Sequence, residues 1–257
     1  MPMRFRPCID LHDGQVKQIV GGSLRDGEAP ETNFASSHGP AYFAELYRRD
    51  ALSGGHVIKL GQGNDDAARE ALAAYPEGLH IGGGIDADNA GQWLSHGAQA
   101  VIATSYVFRD GSLHEGNLER LVAATGSDRL VLDLSCAPTD DGDYVVATDR
   151  WQRRTDFIIN DAGLKRLAGY CREFLIHATQ VEGKQQGVDA TLIAHLADIT
   201  PLPTTYAGGV RDMEDVEIIA QKGQGRLDYT VGSALDIFGG DGVRYDELVS
   251  LSRSDTD

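Results

Sequence analysis

Two aspartates sit inside apolar, β-rich runs. Asp10 lies in CIDLHDG and Asp133 in VLDLSCA, each near the C-terminal end of its run. A carboxylate there is costly to bury unless it is paired or used. Two such groups facing each other across one cleft suit paired general acid and general base work. Their surroundings would push the two pKa values apart so that one stays protonated. The plainer reading is two structural aspartates that cap loops.

A second set of residues could hold phosphate. Gly82-Gly83-Gly84 and Gly208-Gly209 each follow a β-rich run, and Thr104-Ser105 and Gly232-Ser233 follow two more. Glycine lets backbone amides approach a ligand, and a helix N-terminus beyond adds partial positive charge. Tight turns would use the same glycines. The equipment occurs twice, which predicts a small substrate with two phosphates. One seat would be Gly83, Gly84, Thr104 and Ser105, and the other Gly208, Gly209, Gly232 and Ser233.

Other side chains carry weaker signals. Trp151, in TDRWQRRTD, has no evident core face, so it either stacks on a flat ligand or anchors its loop. Arg150 and Arg153 beside it could attract an anion or be solvated. Cys8 and Cys136 read as packing residues. His12, His56, His80 and His177 lie in or near strands, but no spacing resembles a metal site. Neither metal nor cofactor is expected.

The elements that must position these groups alternate. Strand candidates are Phe5–Leu11, His56–Leu60, Leu79–Ile81, Ala100–Ala103, Leu130–Leu134, Glu173–His177, Pro203–Tyr206 and Leu227–Val231. A helical pattern follows each, and Asp65, Asp86, Asp189 and Asp212 read as helix caps. Eight strand–helix units in 257 residues predict an α/β fold, a single (β/α)8 TIM barrel spanning 1–257. In such a barrel the C-terminal ends of the strands carry the active site. An open doubly wound sheet is the alternative, but GxGxxG and Walker A patterns are missing. Residues 13–40 and 135–160 are long connections, the second holding a hairpin-like DGDYVVAT. Long connections of this kind are more often functional than accidental.

The chain also echoes itself. CIDLHDG matches VLDLSCA at an offset of 123, HIGGGID matches YAGGVRD at about 125, and ATSYVF matches VGSALDIF at 128. Two half-barrels, about 1–126 and 127–257, would produce this order.

Composition narrows the partners. The net charge is −16, with 27 Asp against 12 Glu and 18 Arg against 5 Lys. That balance disfavours nucleic acid and anionic membrane. High-salt adaptation and codon bias both fit it. An anionic substrate would meet a repulsive field and would need concentrated local attraction. No apolar run approaches the roughly 18 residues of a membrane span, and no secretory leader is visible at the start. Three scattered cysteines fit a reducing compartment, so a cytoplasmic location is expected; a monomer is expected as well.

The residues together resemble a known family. CIDLHDGQVKQIVGG, TNFASSHGPAYFAELY, HVIKLGQGNDDAAREAL, HIGGGI, RLVLDLSC, WQRRTD, EFLIHATQVEG, YAGGVRD and GSALDIFGG resemble the isomerases of histidine biosynthesis, in their eukaryotic-type branch. Those enzymes convert the aminoaldose ProFAR, a bisphosphorylated aminoimidazole-carboxamide ribotide, to an aminoketose. The resemblance implies an Amadori rearrangement without cofactor or metal. Asp133 would protonate the ribose ring oxygen as the ring opens to a Schiff base. Asp10 would remove the proton from the adjacent carbon to give an enolamine, which ketonises. The family's phosphate sites fall on the two glycine sets, its stacking tryptophan on Trp151, and a binding glycine on Gly183.

The chain departs from the bacterial branch of that family. A catalytic threonine and an Asp-Gly pair follow strand 6 there. This chain has HATQVEG, with Glu182-Gly183. His177 or Ala178 falls at the threonine position, and Thr179 reaches it only with a gap. Arg150 replaces a glycine, and Lys59-Leu60-Gly61 an acidic strand end. Three related readings remain: the sister cyclase, imidazole glycerol phosphate synthase; a dual-substrate isomerase that also serves tryptophan synthesis; and a noncatalytic phosphosugar-binding barrel.

Overall fold

The computed structural model describes residues 3–20, 23, 30–149 and 151–254. Arg150 therefore lies outside the described residues. Eight strands pair in chain order, all parallel. They are β1 (Cys8–His12), β2 (Gly55–Lys59), β3 (Leu79–Gly82), β4 (Ala100–Ala103), β5 (Leu130–Asp133), β6 (Glu173–His177), β7 (Thr204–Ala207) and β8 (Leu227–Tyr229). The sheet closes on itself just before β1. Phe5 bridges Tyr229 in parallel, and the Arg6 amide donates to the Tyr229 carbonyl at 2.8 Å. The expected barrel is thus formed.

A helix follows each strand: α1 (Pro40–Arg49), α2 (Asp65–Ala74), α3 (Ala90–Ser95), α4 (Glu115–Thr125), α5 (Asp161–Ala168), α6 (Ala190–Ile199), α7 (Met213–Lys222) and α8 (Tyr245–Ser254). The Asp189 and Asp212 side chains cap α6 and α7, accepting from the Leu192 and Asp215 amides. Two expected caps differ. Asp65 is the first residue of α2, behind Asn64. Asp86 instead holds the turn before α3, accepting from the Asp88 and Asn89 amides at 2.9 Å.

Alternate strand residues serve two cores. Ile9, Leu11, Val57, Ile81, Leu132, Phe174 and Tyr206 pack in the large core that includes buried helix side chains. Ile58, Ala100, Ile102, Val131, Leu175 and Ala207 form a separate small cluster. Both strand faces are covered, so the strands read as continuous apolar runs rather than alternating ones. One step toward the strand N-termini, Arg6 pairs with Asp228 (2.8 Å) and Glu173 (3.6 Å) in a buried ion layer. At the other end of the same strands stand Asp10, Asp133 and His177.

The two long connections contain regular structure. After β1 the chain turns at Asp13-Gly14, both with positive φ, into a strand Gln15–Ile19 antiparallel to β1, and Thr32–Ala35 pairs with that strand. After β5, Cys136–Pro138, Tyr144–Thr148 and Arg153–Ile158 form an antiparallel three-stranded sheet. Each extension therefore leaves the barrel directly beyond an aspartate.

Candidate active site

A cavity of about 320 Å³ opens at the C-terminal ends of the strands, and Asp10, Asp133, His177, Glu182 and Trp151 line it. Gly83, Gly84, Thr104 and Ser105 form part of the same wall. A smaller adjoining recess is lined by Gly183, Gly208, Gly209, Gly232 and Ser233, and it shares Asp10, His177 and Glu182 with the first. Every binding residue expected from the sequence therefore lies at one end of the barrel, the two glycine sets flanking the two aspartates.

The glycines are required by their backbone. Gly83 and Gly209 have φ of +94° and +80°, and a Cβ on either would strike a backbone carbonyl oxygen, that of Lys59 at 2.2 Å or Gly187 at 2.3 Å. Gly84, at φ +68°, faces open space.

Asp10 is half-buried and its Oδ2 accepts from Gln18 Nε2 at 3.0 Å. Gln18 comes from the strand following the Asp13-Gly14 turn, so the extension beyond β1 fixes the carboxylate's orientation. Burial, with Glu182 nearby, pushes Asp10 up to about 7, against the opposing pull of His177 and Gln18. Asp133 moves the other way. Burial would raise it, but His177 and the hydroxyls of Ser135 and Thr104 outweigh that and hold it below its ordinary value. Its Oδ1 accepts from Ser135 Oγ at 2.9 Å and lies 3.2 Å from His177 Nδ1. His177 is pushed up to about 9: burial opposes its charge, but Asp133, Glu182 and Asp10 favour it more. Burial and Asp133 raise Glu182. A resting acid Asp133 and base Asp10 would require the opposite order of pKa values.

Trp151 is half-buried, with its ring 6.3 Å from that of His177 and tilted by 38°. Its φ of +67° is unusual for a bulky residue. Arg153 lies 3.8 Å from Asp110 and lines a neighbouring recess that shares Ser105, Tyr106 and Asp149 with the cavity. Cys8 and Cys136 are buried, and burial pushes both thiols up, so neither is poised as a thiolate. Among the described residues no group of three or more His, Cys, Asp or Glu side chains could hold a metal ion.

The model of the histidine biosynthesis protein family matches residues 4–240. The chain belongs to this family. An imidazole-4-carboxamide isomerase of Neurospora crassa is 50% identical over 97% of the chain and 98% of its own length. One of Medicago truncatula, named as chloroplastic, is 48% identical over 96% of the chain and 81% of its own. A third, of Yarrowia lipolytica, is 48% identical over 96% of each. The names of these relatives describe an isomerase acting on an imidazole carboxamide that bears two phosphoribosyl groups. The resemblance read from the motifs is thereby established, and with it the barrel as this family's fold.

For this histidine biosynthesis barrel, reading the residues one at a time missed three partners of the aspartates: Gln18, Ser135 and the role of His177. His177 ends β6 as a polar residue inside an apolar run, the same signal that singled out Asp10 and Asp133. The sequence placed His177 or Ala178 at the bacterial threonine position but assigned neither a role.

Proposed function

We propose that the barrel mouth performs the isomerisation for which its relatives are named, turning a ring-closed bisphosphorylated aminoaldose into an open-chain aminoketose. The observation that carries this reading is the pair Asp10 and Asp133 on one cavity wall, flanked by two positive-φ glycine sets. Gly83, Gly84, Thr104 and Ser105 hold one phosphate, and Gly208, Gly209, Gly232 and Ser233 hold the other, with Gly183 beside the second. Backbone amides serve an anion here without adding a mobile cation. Bound in this way, the substrate has its ribose over the aspartates.

The ring opens when its oxygen is protonated from the Asp133 side of the cavity. Asp10, ionised, then removes the proton from the neighbouring carbon, and the enolamine ketonises. Trp151 stacks on the imidazole carboxamide and covers the Schiff base from water. The reaction needs no cofactor. The enzyme acts as a monomer, and in the cytoplasm, with which three unpaired cysteines are in keeping, although one plant relative is named as chloroplastic.

The test is purified protein with the aminoaldose alone, followed by absorbance, and a parallel arm with phosphoribosylanthranilate. Conversion without ammonia is expected. Consumption of the aminoketose with ammonia, and none of the aminoaldose, would indicate the sister cyclase, and conversion of neither would leave a binding barrel. Turnover of phosphoribosylanthranilate would indicate dual specificity.

A further inference from the structure

We infer that His177 is the proton donor for ring opening and that Asp133 is its fixed counter-ion. This rests on the proposed isomerisation. Asp133 is built as an acceptor. Ser135 Oγ donates to its Oδ1 at 2.9 Å, the Thr104 hydroxyl also donates to it, and His177 Nδ1 lies 3.2 Å away. An ionised Asp133 can accept from both hydroxyls and from a ring N–H together, whereas a protonated one would have to turn one of those contacts around. The hydrogen of the pair is therefore on His177 Nδ1, and the second ring nitrogen is the one that can serve the ligand.

His177 stands where such a donor is needed. It lines both the main cavity and the smaller recess, on the seam between the two phosphate seats. The groups facing it are Asp133 on β5, Asp10 on β1, Glu182 beyond β6, Trp151 on the β5 extension and His56 on β2. Three of these are carboxyl groups. Burial holds His56 neutral, down to about 3, so one imidazole answers all three. That surrounding supports an imidazolium at neutral pH. His177 also resolves the position the sequence left open after strand 6. The Thr179 hydroxyl is committed to the Cys136 carbonyl at 2.9 Å, and Ala178 has no polar side chain.

The step balances. His177 Nε2–H passes its proton to the ribose ring oxygen, and the bond from that oxygen to the anomeric carbon breaks with its electron pair on oxygen. The attached nitrogen's lone pair forms the C=N bond of a protonated Schiff base. His177 is left neutral, still bound through Nδ1–H to Asp133. Asp10 takes the proton from the adjacent carbon, whose electron pair forms the enolamine double bond. On ketonisation the hydroxyl of that carbon returns a proton to His177 Nε2, and Asp10 returns its proton to the former anomeric carbon. Both groups are then reset.

Two measurements test this. The first follows the His177 ring by NMR on uniformly 15N-histidine-labelled protein, assigned by its loss in His177→Gln. A midpoint near 9 is expected, falling in Asp133→Asn. A midpoint at or below the ordinary 6.5 would overturn the inference. The second compares turnover. His177→Gln should lose about 10² to 10⁴ in kcat with KM little changed, and the alkaline limb of the wild-type pH profile should vanish. A folded His177→Gln enzyme within about threefold of wild-type kcat, or one that keeps the alkaline limb, would overturn it. Inactive wild-type protein would instead overturn the proposed isomerisation.

Discussion

At the scale of the residue, the account rests on Asp10 acting ionised. Burial and Glu182 raise Asp10 to about 7, so kcat should climb through that pH as the base form appears. Asp10→Asn should lose about 10² to 10⁴ in turnover while binding product, and Asp133→Asn should lose a similar factor through its partner His177. Near-full activity in either variant would remove that residue from the mechanism. The same shift has a consequence for stability. A carboxyl with a raised folded pKa favours folding while protonated; that contribution is present below its ordinary 3.8 and is lost as pH rises through about 7. His177, raised to about 9, adds stability below its ordinary 6.5 that is lost as pH rises through 9. Asp10→Asn should therefore raise Tm at pH 8, by roughly 2–4 °C for each kcal/mol relieved, while losing most of its turnover. A lower Tm at pH 8 would show that the carboxylate is stabilising and the assigned direction wrong. Asp10 and Asp133 were legible because a charge in an apolar run is conspicuous. The order of their pKa values was not, since it depends on His177 and Glu182 at the end of β6 and Thr104 after β4, together with Ser135 beside Asp133.

At the scale of the element, the turns after β3 and the extension after β5 carry separable roles. Gly83→Ala would drive a Cβ into the Lys59 carbonyl and should cost about 1–3 kcal/mol of stability. Gly84→Ala meets nothing, so it should cost about 1–2 kcal/mol for its left-handed backbone and chiefly raise KM by crowding the phosphate. Equal KM for Gly84→Ala and wild type would take that glycine out of the seat. Trp151→Ala should weaken binding and slow turnover without unfolding the protein, and Trp151 fluorescence should change when product binds. A loss of Tm with unchanged kinetics would make it a loop anchor. Apart from the start of β1, which lies at Cys8 and not Phe5, the barrel strands could be read within a residue or two because apolar runs of four or five residues repeat with caps between them. The β1 extension could have been read as well: His12-Asp13-Gly14-Gln15 is a two-residue hairpin of the Asp-Gly type. The β5 sheet was only half visible, since DGDYVVAT shows its middle strand and the edge strands depend on pairing across the loop.

At the scale of the whole molecule, the sequence echo has a structural counterpart. β1 and β5 each end near an aspartate followed by an antiparallel extension, and β3 and β7 each lead into a glycine pair with positive φ. We propose that the halves, about 1–126 and 127–257, are related by a pseudo-twofold that sets one phosphate seat in each. The net charge of −16 opposes an anionic ligand at long range. Screening falls within about 10 Å at 0.1 M salt, so kcat/KM should rise with moderate salt. A steep fall would mean that cationic side chains, rather than backbone amides, dominate capture. The most direct test of the account is a crystal structure with the bisphosphorylated aminoketose bound. The account predicts one phosphate on Gly83, Gly84, Thr104 and Ser105, the other on Gly208, Gly209, Gly232 and Ser233, and the opened sugar chain between Asp10 and the His177–Asp133 pair. Density showing both phosphates on one glycine set, or the sugar carbons out of reach of Asp10, would contradict it.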